Sequence, residues 1–134
     1  GKFVFGSDGS KKEGIIVRGD GHVHMNGRAV YTFTVRVIPN SIRKMLEKNG
    51  ITPEKIDRFL LHQGSLHIVN SIADTLGVPR EKCPFNSAEF GNTVSSSVPM
   101  ILAQEFNKQE MKVAVLAGFG VGLSWASTLI FRKI

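Results

Sequence analysis

The chain has 134 residues, with 17 Lys and Arg against 11 Asp and Glu for a formal net charge of +6, 42% apolar residues and a single cysteine. A chain of this length fits one domain and can bury a core without disulfide or metal staples. One cysteine excludes an internal disulfide and a cysteine-built zinc cluster, and the apolar content argues against disorder. In chain order, Phe3 and Phe5 alternate with Lys2 and Val4 as in a strand, and Gly6–Ser10 breaks the pattern. Ile15–Val17 is a short β-branched run suited to a strand, with Gly19–Gly21 as the next turn. The stretch from Met25 to Asn49 reads two ways. Phe33, Val35 and Val37 alternate with polar neighbours as in a strand, while Val30, Phe33, Val37, Ile38, Ile42, Met45 and Leu46 fit one helix face. Asn26 suits the start of such a helix and Gly50 its end, and Pro39 is expected to kink or divide it.

Thr52-Pro53 resembles a helix start of about one turn, and Arg58–Leu61 a buried strand running into His62. From Ser65, an N-cap, the period turns helical: Leu66, Val69, Ile72, Ala73 and Leu76 share a face until Gly77. Cys83–Phe85 is a candidate short strand and 86–93 a polar loop. A second helix is predicted from about Ser95 to Asn107. Val113–Ala117 has the unbroken apolar run of a central strand covered on both faces. Gly118–Gly122 reads as a turn and Trp125–Phe131 as a closing strand. Strands alternating with helices define an α/β class, as a single domain over residues 1–134.

No apolar run is long enough to span a bilayer, and no basic segment followed by an apolar one opens the chain, so a soluble, cytoplasmic protein is expected. The charge is uneven. Residues 1–67 hold 11 Lys and Arg and 6 Asp and Glu. A basic half attracts nucleic acid, anionic lipid or an acidic protein. Without long basic runs or interleaved aromatics, nucleic acid ranks last, and a merely solvated surface is the simpler reading.

His62, at the end of a buried strand, is a candidate to donate to a developing oxyanion or to move a proton; its alternative is a core histidine bonded to backbone. Asn92, in Phe90-Gly91-Asn92-Thr93, offers an amide donor to the same oxyanion; its alternative is a turn or cap. Thr93 and Ser95–Ser97 read as capping residues. Gly118-Phe119-Gly120-Val121-Gly122 has the wrong spacing for a dinucleotide fingerprint and leads into a strand rather than a helix. Cys83 reads as structural. His22, His24 and His67 lack metal-ligand spacing with carboxylates, so no metal is expected.

Taken in order, Met25-Asn26-Gly27-Arg28, Leu61-His62-Gln63, Gly91-Asn92-Thr93 and Gly118–Gly122 with Trp125 resemble the C-terminal half of β-ketoacyl-acyl-carrier-protein synthase III. That family comprises thiolase-fold condensing enzymes, and the resemblance runs from about Ser7 to the last residue. It implies a long helix over Gly27–Asn49, and a mixed five-stranded sheet covered by helices that pairs with a similar N-terminal half. It also implies an acyltransferase of fatty acid or related polyketide biosynthesis. A cysteine takes an acyl group from acyl-CoA, and malonyl-acyl-carrier protein then loses CO₂ and attacks the acyl thioester. By resemblance, His62 and Asn92 hold the malonyl thioester carbonyl. Met25, Gly27, Tyr31, Gly64, Ser65 and Phe119 bind the CoA thioester arm or wall the site.

The same resemblance places Gln63, His67, Arg28 and Arg36, with Arg43 and Lys44, at a docking face for an acidic acyl-carrier protein. It implies no cofactor and a homodimer in full-length form. The family's nucleophile belongs to the other half, so the isolated chain is expected to be inactive. The family usually reads Gln-Ala-Asn-x-Arg after its histidine, and here the residues are Gln63-Gly64-Ser65-Leu66-His67. Tyr31 stands where phenylalanine is common, and Val94 where serine is usual. The competing reading is a non-catalytic thiolase-fold partner or interaction module.

Overall fold

Residues 1–108 and 110–133 are described by a computed structural model. At its centre lies the apolar run that reads as a strand buried on both faces. This strand, β5 (Val113–Gly120), pairs antiparallel with β6 (Ser124–Phe131) and parallel with β4 (Arg58–Leu61). β1 (Val4–Ser7) adds antiparallel to the other edge of β6, giving a mixed sheet in the order β1-β6-β5-β4. A separate hairpin joins β2 (Ile15–Val17) to β3 (Val23–Met25). Gly6 lies opposite Trp125, where any Cβ would sit 2.5 Å from the indole, so glycine lets that ring lie across the edge strand.

The main sheet has four strands where five were expected. The candidate strand Cys83–Phe85 is not one. The Cys83 N–H turns back to the Arg80 carbonyl at 2.8 Å, and Pro84 has no N–H to give a ladder. The Gln63 side chain instead ties the segment to the sheet. Its amide donates to the Leu61 carbonyl at 2.8 Å and the Pro84 carbonyl at 3.2 Å, and accepts from Asn86 N–H at 2.9 Å. β5 also runs further than expected. Gly118, Phe119 and Gly120 stay in register with Ala126, Trp125 and Ser124, and the chain reverses only at 121–123.

The ambiguous stretch forms one helix, α1 (Gly27–Asn49), and Pro39 lies buried inside it without dividing it. Asn26 caps its start by accepting from Ala29 N–H at 3.0 Å, and Gly50, at φ 65°, ends it. Burial overrides the local β-propensity: Phe33, Ile38, Ile42, Met45 and Leu46 are at most 4% exposed. Each such side chain contributes about 1.5–3 kcal/mol relative to exposure. α1 and α2 (Leu66–Leu76) cover one face of the sheet, meeting Phe59, Leu61, Val115 and Ala117. α4 (Ser97–Phe106) covers the opposite face at Leu60 and Ala114. Between α2 and α4 the chain forms a four-residue helix, α3 (Ser87–Phe90), in the segment predicted as loop, with single 3-10 turns at Arg80–Lys82 and Val94–Ser96. No helix among the described residues is long and apolar enough to cross a membrane.

Candidate active site

The site forms where β4 ends. The His62 N–H continues the ladder to the Ala117 carbonyl at 2.8 Å, so the histidine is placed by sheet register. Its ring is half-buried and meets the Phe119 ring edge-on, with centroids 5.3 Å apart. Nδ1 lies 2.7 Å from Oγ of Ser97, the first residue of α4. Burial holds the His62 pKa below the ordinary imidazole value, and the Val94 backbone carbonyl facing the ring offsets this only in part. The ring is therefore neutral at pH 7.

Asn92 reaches the same place by a strained loop. Gly91 has φ 69° and ψ −167°, a region essentially open to glycine alone. Val94 follows at φ 53°, a left-handed conformation costly for a β-branched residue. Between them, Asn92 Oδ1 accepts from Val94 N–H at 3.0 Å. Only an oxygen can accept that bond, so the amide is oriented and its NH₂ is left free of partners among the described residues. Val94→Asn should keep this turn and raise stability by about 1 kcal/mol, since asparagine tolerates the left-handed region. A higher urea midpoint at unchanged slope would register it.

His62 and Asn92 share a cavity of about 360 Å³ with mostly apolar walls. Met25, Gly27 and Tyr31 line it from the β3–α1 junction, Gly64, Ser65 and His67 from the start of α2, and Phe119 from β5. Tyr31 stacks on the exposed His67 ring at 4.9 Å and 11°. Ser65 Oγ is engaged as the cap of α2, accepting from Ile68 N–H at 3.2 Å.

Of the expected docking residues only His67 lines this cavity. Gln63 is 1% exposed, with its side chain spent on backbone groups, and presents no surface to a partner. Arg28 and Arg36, with Lys11 and Lys44, line a separate open groove of about 890 Å³ between α1 and the β1–β6 edge. Arg43 turns the other way and donates to the Thr75 carbonyl on α2. Ser97 is the site residue missed in the sequence. It reads there as one of several capping serines, and no local pattern ties it to a histidine 35 positions away.

Cys83 is buried, and burial, reinforced by the Asp74 and Glu81 charges, pushes its thiol pKa up to about 12. Such a thiol is inert at neutral pH. His24 pairs with Asp20 at 2.9 Å in the exposed hairpin turn, and no metal-binding group of three ligands exists among the described residues.

A mixed sheet with covering helices on both faces, carrying a neutral histidine and an oriented asparagine in one apolar cavity, places the chain in the thiolase-like fold class. Residues 46–131 match the family model described as 3-oxoacyl-acyl-carrier-protein synthase III C terminal. A β-ketoacyl-acyl-carrier-protein synthase III of Clostridium perfringens is 34% identical over 92% of this chain and 44% of its own length. The solved synthase III of Thermus thermophilus superposes with TM-score 0.90 at 32% identity, covering 98% of this chain and 45% of that one. That of Pseudomonas aeruginosa gives TM-score 0.92 at 28% identity, over 99% of this chain and 45% of that one. The chain belongs to the synthase III C-terminal family, and it spans less than half the length of these relatives.

Proposed function

We propose that this chain is the C-terminal half of a 3-oxoacyl-acyl-carrier-protein synthase III-like enzyme that condenses an acyl-CoA-derived acyl group with malonyl-acyl-carrier protein. The observation that carries this reading is the pairing of donors in one cavity. Asn92 Oδ1 is occupied by the Val94 N–H, so its NH₂ is free to donate, and His62 is held neutral beside it. Two neutral donors suit a thioester carbonyl oxygen that turns enolate-like as CO₂ leaves. The electron pair of the breaking C–CO₂ bond moves into the enolate and then forms the new C–C bond to the acyl thioester carbon, expelling the cysteine thiolate. Neutral donors add no cation that would over-stabilise the malonyl carboxylate in the ground state. Phe119 excludes water from the developing carbanion. No metal or cofactor enters this scheme.

The nucleophilic cysteine lies outside this chain in this reading, since Cys83 is its single cysteine and is inert. The narrow, mostly apolar cavity suits a pantetheine-like arm. His67 and Tyr31 at its wall, and the basic groove along Arg28 and Arg36, offer an acidic carrier protein its approach. The test is reconstitution. The 134-residue chain alone should neither load an acyl group nor decarboxylate malonyl thioester, and the full-length protein should do both, seen as an acyl mass adduct and CO₂ release. Activity from the isolated chain, or a full-length protein that fails at both steps, would refute the proposal.

A further inference from the structure

His62 can act as a donor toward the cavity only if the ring proton sits on the nitrogen that faces it. Nδ1 faces away, 2.7 Å from Ser97 Oγ, and Ser97 is 1% exposed. That hydroxyl has no other hydrogen-bond partner among the described residues. A neutral imidazole carries one proton on one of two nitrogens, so the pair has two arrangements. If Nδ1–H donates to Oγ, the buried hydroxyl proton is left with nothing to bond. If Oγ–H donates to Nδ1, both the buried hydroxyl and Nδ1 are satisfied and the ring proton resides on Nε2. Leaving a buried donor unmade is the costlier choice, so the second arrangement wins. The Val94 backbone carbonyl, which also faces the ring, stabilises a ring N–H without selecting the nitrogen, whereas the Ser97 hydroxyl lies at hydrogen-bond distance from Nδ1 itself and makes that selection.

The opposite edge of the ring lies beside Gly64, with which His62 shares the cavity; a Cβ there would make ordinary van der Waals contact with Nε2 and Cδ2, at 3.5 Å from each. Phe119 holds the ring edge-on and limits its rotation. Ser95 and Ser96, beside Ser97, are exposed and make no hydrogen bond to the ring.

We propose that Ser97 is the positioning residue of the site: its buried hydroxyl donates to His62 Nδ1 and so fixes the Nε2–H tautomer that donates to the substrate oxyanion. The role of that donor rests on the function proposed above, whereas the tautomer does not. The test uses the full-length protein labelled with ¹⁵N-histidine. In the wild type the His62 resonances should show a protonated Nε2 and an unprotonated Nδ1. In Ser97→Ala the Nδ1–H form should become populated, and malonyl decarboxylation should fall roughly tenfold or more while acylation of the cysteine stays unchanged. Ser97→Thr, which keeps the hydroxyl, should restore both the ¹⁵N pattern and the rate.

A wild-type ring protonated on Nδ1 would overturn the proposal, as would Ser97→Ala with an unaltered ¹⁵N pattern. The wild-type spectrum decides the question even if Ser97→Ala fails to fold. If His62→Ala leaves decarboxylation untouched, the functional reading falls, and the ¹⁵N shifts still judge the Ser97 assignment.

Discussion

Replacing His62 or Asn92 by alanine in the full-length protein should lower malonyl-thioester decarboxylation on the order of a hundredfold or more, with acyl transfer to the cysteine largely spared. In the proposed mechanism each side chain contributes one donor to one developing oxyanion, so losing either exposes the same charge. The double variant should therefore be little worse than the single ones, because the two act as a unit. Asn92→Asp separates chemistry from architecture. A carboxylate oxygen still accepts from Val94 N–H, so the turn persists, but the donor becomes an anion aimed at an anion. Its rate should fall below that of Asn92→Ala. Equal decarboxylation in wild type, His62→Ala and Asn92→Ala would remove both residues from the mechanism.

The pH dependence follows from burial. His62 has its pKa lowered in the fold, so it stays neutral as pH falls past the ordinary value of 6.5. Its contribution to stability is fully present above the unfolded value and is lost as pH falls through the lowered folded value, because the unfolded chain then binds the proton more readily. Titration of the His62 C2 proton should show a midpoint below 6.5.

Much of the architecture is legible from period and punctuation. The Ser65 cap, the Gly77 stop and the face carrying Val69, Ile72 and Ala73 define α2 within a residue or so. The β5 run is apolar because both faces are covered, by α1 and α2 on one side and α4 on the other. For α1 the β-branched residues Val30, Thr32, Thr34, Val35 and Val37 pull the local reading toward strand. Only the long-range contacts of Ile38, Ile42 and Met45 decide for helix, and those are invisible to propensity. Cys83–Phe85 fails as a strand for the converse reason. Its apolar pattern fits, but its backbone groups bond to a turn and to the Gln63 amide rather than to a neighbour strand.

The site divides the same way. His62 and Asn92 are visible because strand ends and glycine-led turns are readable locally. Gln63 sits beside His62 in sequence but points into the interior. Ser97 acts on His62 through a tertiary contact between α4 and the end of β4, with no signature in either segment.

That contact is one end of a longer attachment, and the other end carries the second large expected effect. Along β4 the chain advances from Arg58 to His62, the residue just past the strand, and along α4 it runs back from Ser97 to Glu105, one residue short of the helix end. Four extended steps cover about 13 Å and eight helical steps about 12 Å, so the two ends of each meet. At the near end Ser97 bonds His62. At the far end Arg58 Nε donates to Glu105 Oε2 at 2.9 Å, and Lys108 bonds the other carboxylate oxygen. Glu105 is 4% exposed at its side chain and Arg58 22%.

Removing Arg58 strands the more buried charge with a single, solvent-exposed lysine as partner. Arg58→Ala should therefore destabilise the chain by about 3 kcal/mol, in the range for breaking a buried pair. The joint replacement Arg58→Met with Glu105→Leu should recover most of that loss, because apolar groups of similar size remove both desolvation costs at once. Urea unfolding of the three proteins decides between the two ways α4 can be held. If Arg58→Ala shifts stability by less than about 0.5 kcal/mol, the value ordinary for a surface site, then Leu60 and Ile101 alone fix the helix. If it reaches the buried-pair range, the ion pair helps hold the helix that delivers Ser97 to the histidine.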